Sequence, residues 1–216
     1  MDLFGQAFND RFNGKVYPFY FEVSGEKYEF KLDRYFRDFS NLSKVENKLI
    51  NMCYGDILDV GCGTGNYFPA LEKRGHAIGI DISDKIIEVS RKMGIKNCFS
   101  ADIFSFKSDK KFDTITLFEN NLGMGATIEG TKKLLRKISS ILKDSGQLLI
   151  ILSGRAKKAN YVEVEFVPIY HDIRGEKFKW ISFNPKFLRE LCSEIKLNMK
   201  IISANRYYSF IKISKE

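Results

Sequence analysis

The chain has 216 residues, and its 35 Lys and Arg against 27 Asp and Glu give a formal net charge of +8. Apolar residues make up 44% and charged residues 29% of the sequence, a mixture that excludes a disordered chain and is typical of one globular domain. No apolar run reaches the length of a membrane span, no secretory signal is visible, and the four Cys and two His form neither a disulfide framework nor a zinc site.

We therefore expect a single cytoplasmic domain over residues 1–216, with reduced cysteines and no metal. The first 54 residues hold 13 of the 30 aromatic side chains, and we expect them to form a lid. Within this lid, two short alternating segments predict a hairpin over residues 20–30. Ser43 and Glu46 have the spacing of a capping box, which predicts a helix that begins at Ser43.

From residue 55 to residue 152, short apolar segments alternate with helical patterns. Strands alternating with helices at this spacing predict a parallel sheet that is covered on both faces, a doubly wound α/β fold. The predicted strands are residues 57–60, 77–80, 98–101, 112–117 and 147–152.

After the fifth strand, the pattern changes to alternating apolar and polar residues. Residues 161–170 and 177–183 alternate in this way, which predicts an inserted antiparallel hairpin within residues 153–183. Residues 184–216 then predict a helix that starts at Asn184-Pro185 and two final strands. With these strands, the core sheet has seven.

Three glycines follow the first core strand directly. Gly61, Gly63 and Gly65 let the backbone turn tightly and lie against a ligand, and the helix predicted after them offers unpaired N–H groups. Such a turn alone is weak evidence of a nucleotide site, so the identity of the ligand has to be inferred from the residues that follow the neighbouring strands.

Two carboxylates end the next two strands. Asp81 stands about twenty residues after the glycines, where a carboxylate can accept both hydroxyls of a ribose. Asp102 ends the third strand, where a carboxylate can accept a hydrogen bond from the amino group of adenine. The pattern predicts an adenosine across the carboxyl ends of the first three strands.

The glycine spacing argues against a dinucleotide. A dinucleotide turn requires G-x-G-x-x-G, whereas position 66 is Asn and the spacing here is G-x-G-x-G. Asp59, two residues before the first glycine, is unsuited to a pyrophosphate but suited to an ammonium group. An adenosine joined to an amino acid indicates S-adenosylmethionine.

At these positions the sequence resembles the class I S-adenosylmethionine-dependent methyltransferases. The matching segments are DVGCGTG at 59–65, GIDIS at 79–83, ADI at 101–103 and FDTI at 112–115. The resemblance implies a seven-stranded Rossmann-like mixed sheet with the last strand antiparallel. It also implies methyl transfer, with S-adenosylmethionine as cofactor and S-adenosylhomocysteine as product.

The resemblance also implies which residues hold the cofactor. They are Asp59, Gly61, Cys62, Gly63 and Gly65 at the methionine end, Asp81 and Ile82 at the ribose and adenine, Asp102 and Ile103 at the adenine edge, and Phe118 and Glu119 along the fourth strand. Residues 119–123 differ from the Asn-Pro-Pro-Tyr signature of many enzymes that methylate the exocyclic amines of bases, which disfavours a DNA base as acceptor.

The aromatic lid and the inserted hairpin together predict a closed, aromatic-lined pocket for a small-molecule acceptor. The sulfonium supplies the activation, so the protein needs only to align the acceptor in line with the methyl group and exclude water. The candidates for a proton acceptor or another catalytic group in this pocket are Glu119, Tyr20, Tyr35 and His171.

Two alternatives remain open at this stage. Arg155, Lys157 and Lys158 form a basic loop at 155–158 that could grip RNA or an acidic protein as the methyl acceptor. A nucleic-acid partner is not favoured, because the basic residues are spread along the chain. The second alternative is a protein that binds the cofactor without catalysis, or a nicotinamide-dependent oxidoreductase. We expect no membrane partner, and the sequence predicts no oligomeric state.

Overall fold

A computed structural model of the chain describes residues 1–36, 42–156 and 158–216, without the side chain of Arg155. The strands in these ranges are β1 (Phe19–Val23), β2 (Glu26–Glu29), β3 (Gly55–Val60), β4 (Gly75–Asp81), β5 (Cys98–Ser100), β6 (Phe112–Leu117), β7 (Leu142–Ser153), β8 (Tyr161–Tyr170), β9 (Ile173–Arg174), β10 (Phe178–Phe183), β11 (Leu197–Ala204) and β12 (Tyr208–Lys215).

The helices range from 4 to 14 residues in length. They are α1 (Leu3–Phe12), α2 (Lys44–Met52), α3 (Phe68–Leu71), α4 (Asp84–Lys92), α5 (Ile128–Ile141) and α6 (Pro185–Glu194), with 3-10 turns at Leu32–Tyr35, Asn121–Gly125 and Gly154–Ala156. Within the described residues, none of these helices is long and apolar enough to cross a membrane.

The core sheet has seven strands in the order β11-β12-β7-β6-β3-β4-β5. Strands β3 to β7 run parallel to one another, and β12 runs antiparallel to both of its neighbours. Buried side chains of α5 and α6 pack on one face of this sheet, and those of α2 and α3 pack on the other. The predicted doubly wound mixed sheet with an antiparallel last strand is therefore confirmed.

Local signals placed the helix starts correctly. The Ser43 hydroxyl accepts a hydrogen bond from the Glu46 amide at 3.2 Å, and the Glu46 carboxylate accepts one from the Ser43 amide at 2.8 Å, which completes the predicted capping box. Ser83 caps α4 through the Ile86 amide at 3.1 Å. The helix after the glycine turn is shorter than predicted, because the chain continues to turn until Phe68.

A second sheet joins the two ends of the chain. Its strands lie in the order β10-β8-β1-β2, with β9 beside β8, and we call these strands the lid sheet. Both predicted hairpins are present, but they are not separate. Strand β1 pairs antiparallel with β8, from Phe19 opposite Tyr170 to Glu22 opposite Val167. The sequence analysis predicts neither this pairing nor the single sheet that results from it.

The lid sheet has one apolar and one charged face. Because side chains alternate along a strand, the face that carries Phe19 and Phe21 also carries their partners Tyr170 and Pro168. The ring of Phe166 lies on the same face, 5.2 Å from that of Phe21. The opposite face carries the charged residues Glu22, Glu163, Glu165 and Lys179.

Helix α1, which the sequence analysis does not predict, fixes one end of the apolar face to the core. Asp2 caps α1 by accepting a hydrogen bond from the Gly5 amide at 2.7 Å. The Phe4 ring packs 5.3 Å from the ring of Phe19 in the lid sheet. The same aromatic cluster includes Ile86 of α4, so α1 lies between the lid sheet and the core.

Strand β10 fixes the other end of the same face. Trp180 lies directly against Gly123 in the 3-10 turn after β6, where a Cβ atom would stand 1.9 Å from the indole nitrogen. The Ser182 hydroxyl accepts a hydrogen bond from the Asn120 amide group at 3.5 Å and lies 3.4 Å from the Ser153 hydroxyl. The lid sheet therefore spans the carboxyl edge of the core sheet, from α4 to the loop after β6.

Candidate functional site

The glycine turn after β3 requires glycine for two different reasons. Gly61, Gly63 and Gly65 have φ angles of +73°, +58° and +81°, the left-handed region that other residues rarely adopt. Gly61 also leaves room for Asn121, because a Cβ atom there would lie 2.4 Å from the Asn121 amide nitrogen. The nearest neighbour of such an atom at Gly63 is the Tyr35 ring, at 3.9 Å.

Asp59 lies near the end of β3 and is 2% exposed. Its carboxylate accepts a hydrogen bond from the Thr116 hydroxyl at 2.6 Å. Burial raises the pKa of Asp59 to about 6, the Thr116 bond opposes this rise, and the Asp81 carboxylate adds to it. A buried acid of this kind gains most from a positively charged group placed beside it.

Asp81 connects the end of β4 to the glycine turn. One carboxylate oxygen accepts a hydrogen bond from the Gly63 amide at 3.0 Å, and the other accepts one from the Ser83 amide at 3.0 Å. Burial raises the pKa of Asp81, whereas these backbone hydrogen bonds lower it. The next residue, Ile82, is 76% exposed, so the site has an apolar side chain free for a flat ligand.

The end of β5 contributes a half-buried carboxylate. Asp102 accepts a hydrogen bond from the Phe104 amide at 3.0 Å, which orders the loop after β5. The side chain of Ile103 is buried in the main core cluster, so its main chain is the part that remains for a ligand.

Glu119 follows β6 and belongs to a partly buried polar group. The Tyr67 hydroxyl lies 2.9 Å from a carboxylate oxygen of Glu119 and 2.9 Å from one of Glu46. Arg34 forms an ion pair with the other Glu119 oxygen. Phe118, directly before Glu119, is buried with its ring 4.8 Å from that of Tyr67. The structure thus brings Phe118 and Glu119 to the edge that carries Asp59 and Asp81.

The loop after β6 is strained and carries a residue that the sequence analysis misses. Glu119 and Asn120 have φ angles of +51° and +64°, which is costly for residues other than glycine and is typical of functional sites. This reversal directs the amide group of Asn121 to the carbonyls of Val60 and Gly61, at 3.1 and 2.9 Å. The sequence signal that could have identified Asn121 is the run of three polar residues, 119–121, after an apolar strand.

A short segment of the lid, Leu32–Tyr35, lies over the glycine turn. The Thr64 hydroxyl donates a hydrogen bond to the Tyr35 carbonyl at 2.6 Å, and the Asn66 amide group donates one to the Arg34 carbonyl at 3.1 Å. Tyr35 therefore lies over the glycine turn.

Cys62 contributes its backbone to the turn. Its thiol is buried, and the neighbouring Cys98 thiol, together with burial, holds the pKa of Cys62 well above its usual range. A neutral buried thiol is a poor nucleophile, so the geometry gives Cys62 no chemical role beyond the conformation of the turn.

The structure does not bring Tyr20 or His171 to this group. Tyr20 alternates with Phe19 and Phe21 and therefore lies on the charged face of the lid sheet. His171 follows the far end of β8, near Asp10 and the ring of Tyr17. That position is roughly 30 Å along the strand from Val162, at about 3.3 Å per residue.

The basic loop that the sequence analysis singles out is described only in part. Lys132 pairs with Glu194 at 2.7 Å, and Lys158 is exposed. Lys157 and the side chain of Arg155, which belong to the predicted basic loop, lie outside the described residues. The described His, Cys, Asp and Glu side chains form no cluster that could hold a metal ion.

Comparisons with known proteins agree on one family. A family model described as "Methyltransferase domain" matches residues 55–182. An uncharacterized methyltransferase of Staphylococcus carnosus is 25% identical over 203 residues, which cover 89% of this chain and 92% of that protein.

Two solved structures show the same fold. A SAM-dependent methyltransferase from Bacteroides fragilis, in complex with S-adenosyl-L-homocysteine, superposes with a TM-score of 0.89 at 24% identity over 99% of this chain and 94% of that chain. The sugar N-methyltransferase KedS8 from Streptoalloteichus sp. superposes with a TM-score of 0.62 at 16% identity over 90% of this chain and 97% of that chain.

Proposed function

This chain belongs to the class I S-adenosylmethionine-dependent methyltransferases, and from that premise we propose that it methylates a small-molecule acceptor by direct in-line displacement in the cleft beneath its lid sheet. The activity of the family is methyl transfer from S-adenosylmethionine. When bound, that cofactor supplies a methyl group already activated by a sulfonium. The residues of this chain then have to bind and orient the cofactor and the acceptor, and to exclude water from them.

The residues at the carboxyl edge suit that cofactor. The buried Asp59 carboxylate fits the ammonium of the methionine end, because an isolated buried acid favours a cation beside it. Asp81 fits the ribose hydroxyls, since each of its oxygens already accepts one hydrogen bond and retains further acceptor capacity. Asp102 and the exposed side chain of Ile82 fit the adenine.

One observation carries the proposal of a small acceptor. The lid sheet is fixed to the core at both ends of its apolar face, by α1 at one end and by Trp180 and Ser182 at the other. A site covered in this way encloses its substrate and excludes water. The enclosed substrate of such a site is small, in keeping with the sugar N-methyltransferase among the structural relatives.

Glu119 is the group that we propose takes up a proton where the acceptor must lose one. Its carboxylate lies at the end of β6, beside the glycine turn, and is oriented by Tyr67 and Arg34. General bases act at hydrogen-bond distance from the proton that they remove. Tyr35, from the segment over the turn, completes this side of the cleft.

Calorimetry with S-adenosylhomocysteine, with NAD as the comparison ligand, tests the cofactor. We expect saturable binding of S-adenosylhomocysteine and no binding of NAD. Saturable binding of NAD alone would overturn the assignment of the cofactor.

Release of S-adenosylhomocysteine, measured with a panel of small phenols and amines and with bulk tRNA, tests the acceptor. We expect turnover of a small acceptor that changes little with added salt. Turnover of tRNA alone, falling steeply as salt rises, would instead identify a polyanionic acceptor.

A further inference from the structure

Helix α1 covers only part of the apolar face of the lid sheet. The part that it leaves uncovered belongs to β8 and β10, where Phe166 lies opposite Phe178 and Val164 lies opposite Trp180. These side chains are partly exposed, Phe178 to 37%. Because both ends of this face are fixed to the core, the exposed aromatic surface between them faces the acceptor cleft of the proposed function.

The uncovered rings form one continuous wall. Phe166 and Phe178 are stacked, with centroids 5.5 Å apart and an interplanar angle of 29°. Phe178 extends the wall to Trp180, at 6.3 Å, and to Phe21, at 5.8 Å. Trp180 and Phe21 meet Phe178 nearly edge to face, at interplanar angles of 81° and 78°. The wall therefore offers both ring faces and ring edges, which an aromatic ligand can match in offset-stacked or edge-on contacts.

The wall is uncharged, in contrast to the other face of the same strands. Between Val162 and Ser182, the charged residues of β8 and β10 all point outward. The polar side chains at the base of the wall, Ser182, Asn120 and Ser153, lie within hydrogen-bonding range of one another. An anionic acceptor placed here would lose its hydration without gaining a partner from the wall, which is costly.

We propose that the methyl acceptor is an uncharged molecule built on a flat aromatic ring system, which packs against Phe166, Phe178 and Trp180. The inference rests on the proposed function, because it assigns a substrate class to the same cleft. Its polar atom to be methylated would point away from the wall, towards Glu119 and the glycine turn.

A quaternary ammonium is the main competing ligand for aromatic side chains. The arrangement disfavours it, because the rings all lie on one face of the lid sheet and line one side of a ligand instead of surrounding it. Glu119, the acid towards which the polar atom would point, is already paired with Arg34. A neutral ring system therefore fits the observed surface better than a cation does.

The test uses the full chain saturated with S-adenosylhomocysteine and follows the heat of binding of four probes. We expect catechol and naphthol to bind, naphthol about tenfold more tightly because it buries a second ring. We expect no binding of choline or glucosamine. Trp180 is the one tryptophan of the chain, so its emission should change as naphthol binds.

A matched pair of variants locates the binding surface. Phe166→Ala should lower the affinity for naphthol about tenfold through the loss of apolar contact. It should leave the affinity for S-adenosylhomocysteine unchanged. Glu165→Ala changes the adjacent residue on the charged face and should alter neither affinity. Unchanged binding of S-adenosylhomocysteine also shows that each variant is folded.

The outcomes separate the two proposals. Failure of the wild-type protein to bind S-adenosylhomocysteine would overturn the proposed function itself. Binding of S-adenosylhomocysteine without binding of naphthol would overturn only the aromatic acceptor. The aromatic acceptor would also be overturned if choline or glucosamine bound more tightly than naphthol. Equal affinity of Phe166→Ala and the wild type for naphthol would overturn it as well.

Discussion

At the scale of single residues, Asp59 shows a conflict between stability and binding. Its carboxyl is buried, and its pKa of about 6 lies above the ordinary value of 3.8. A folded-state pKa that is raised means that the folded protein binds the proton more tightly than the unfolded chain does. Ionisation of Asp59 near neutral pH therefore costs the fold about 3 kcal/mol, which a bound ammonium group would offset.

Replacing Asp59 with Asn should reveal this cost. At about pH 7.5, we expect the variant to have a free energy of unfolding about 1–3 kcal/mol higher than the wild type, because no charge is buried. The difference should shrink as the pH falls from about 6 towards about 4, where the wild-type carboxyl is protonated in the folded state. Urea unfolding at several pH values measures it.

The same Asp59→Asn variant should bind S-adenosylhomocysteine more weakly, so that stability and affinity change in opposite directions. A variant less stable than the wild type at every pH would contradict this account. It would mean that the Asp59 carboxylate already has a stabilising partner in the ligand-free protein.

Asp81 should also matter for binding, because we propose that its carboxylate accepts hydrogen bonds from the ribose hydroxyls of the cofactor. Asp81→Asn should weaken S-adenosylhomocysteine by roughly 2–4 kcal/mol, since a hydroxyl pair loses its charged acceptor. Calorimetry measures the change, and Asp84→Asn, at an exposed position in the first turn of α4, is the control. Equal affinities for the two variants would place Asp81 outside the site.

Residues of the site were predictable from sequence where one strand and its turn contain the whole signal. Asp59 with its glycines, and Asp81 at the end of its strand, are of this kind. Asn121 is not, because its role depends on contacts with Val60 and Gly61, about 60 residues earlier in the chain. The remote position of His171 was also unpredictable, because it depends on the pairing of β8 with β1.

At the scale of elements, polar contacts tie the segment Leu32–Tyr35 to the site. Two hydrogen bonds, from Thr64 and Asn66, and the ion pair between Arg34 and Glu119 hold it over the glycine turn. Breaking these contacts would release the segment from the turn without opening the core sheet. We expect it to control entry to and exit from the cofactor site.

Arg34→Gln should loosen this segment. We expect S-adenosylhomocysteine both to bind and to dissociate several-fold faster, because a partly exposed ion pair contributes about 1 kcal/mol or less. Stopped-flow mixing measures both rates, and Arg189→Gln, an exposed arginine of α6, serves as the control. A change confined to the equilibrium affinity, with unaltered association, would argue against a gating role.

The elements of the core were predictable because their signals are local, whereas the lid was not. Alternation of strands and helices predicted the seven-stranded sheet, and the capping box at Ser43 marked the start of α2. Helix α1 was missed although Phe4 and Phe8 have helical spacing, because its aromatic residues were also consistent with a strand-rich lid. The β1–β8 pairing joins residues about 150 positions apart, and no local pattern encodes such a pairing.

At the scale of the whole molecule, the lid is one sheet whose strands come from two parts of the sequence. Strands β1 and β2 precede the cofactor-binding core, and β8, β9 and β10 follow it. Its amino-terminal strands attach to the glycine turn through Leu32–Tyr35, and β10 attaches to the loop after β6 through Trp180. Closure over a ligand therefore involves both attachments at once. Two independent flaps, which the sequence analysis allowed, would close separately.

Hydrogen exchange can distinguish these two cases. On saturation with S-adenosylhomocysteine, we expect the amides of β1 and β2 and those of β8 and β10 to gain protection together and by comparable amounts. The reason is that strands hydrogen-bonded in one sheet open as one cooperative unit. Mass spectrometry of peptides covering residues 19–29 and 161–183 measures this, with β11, at the far edge of the core sheet, as the internal control. Protection of residues 161–183 alone would show that the β1–β8 pairing does not couple the two halves, and the lid would then have to be treated as two hairpins.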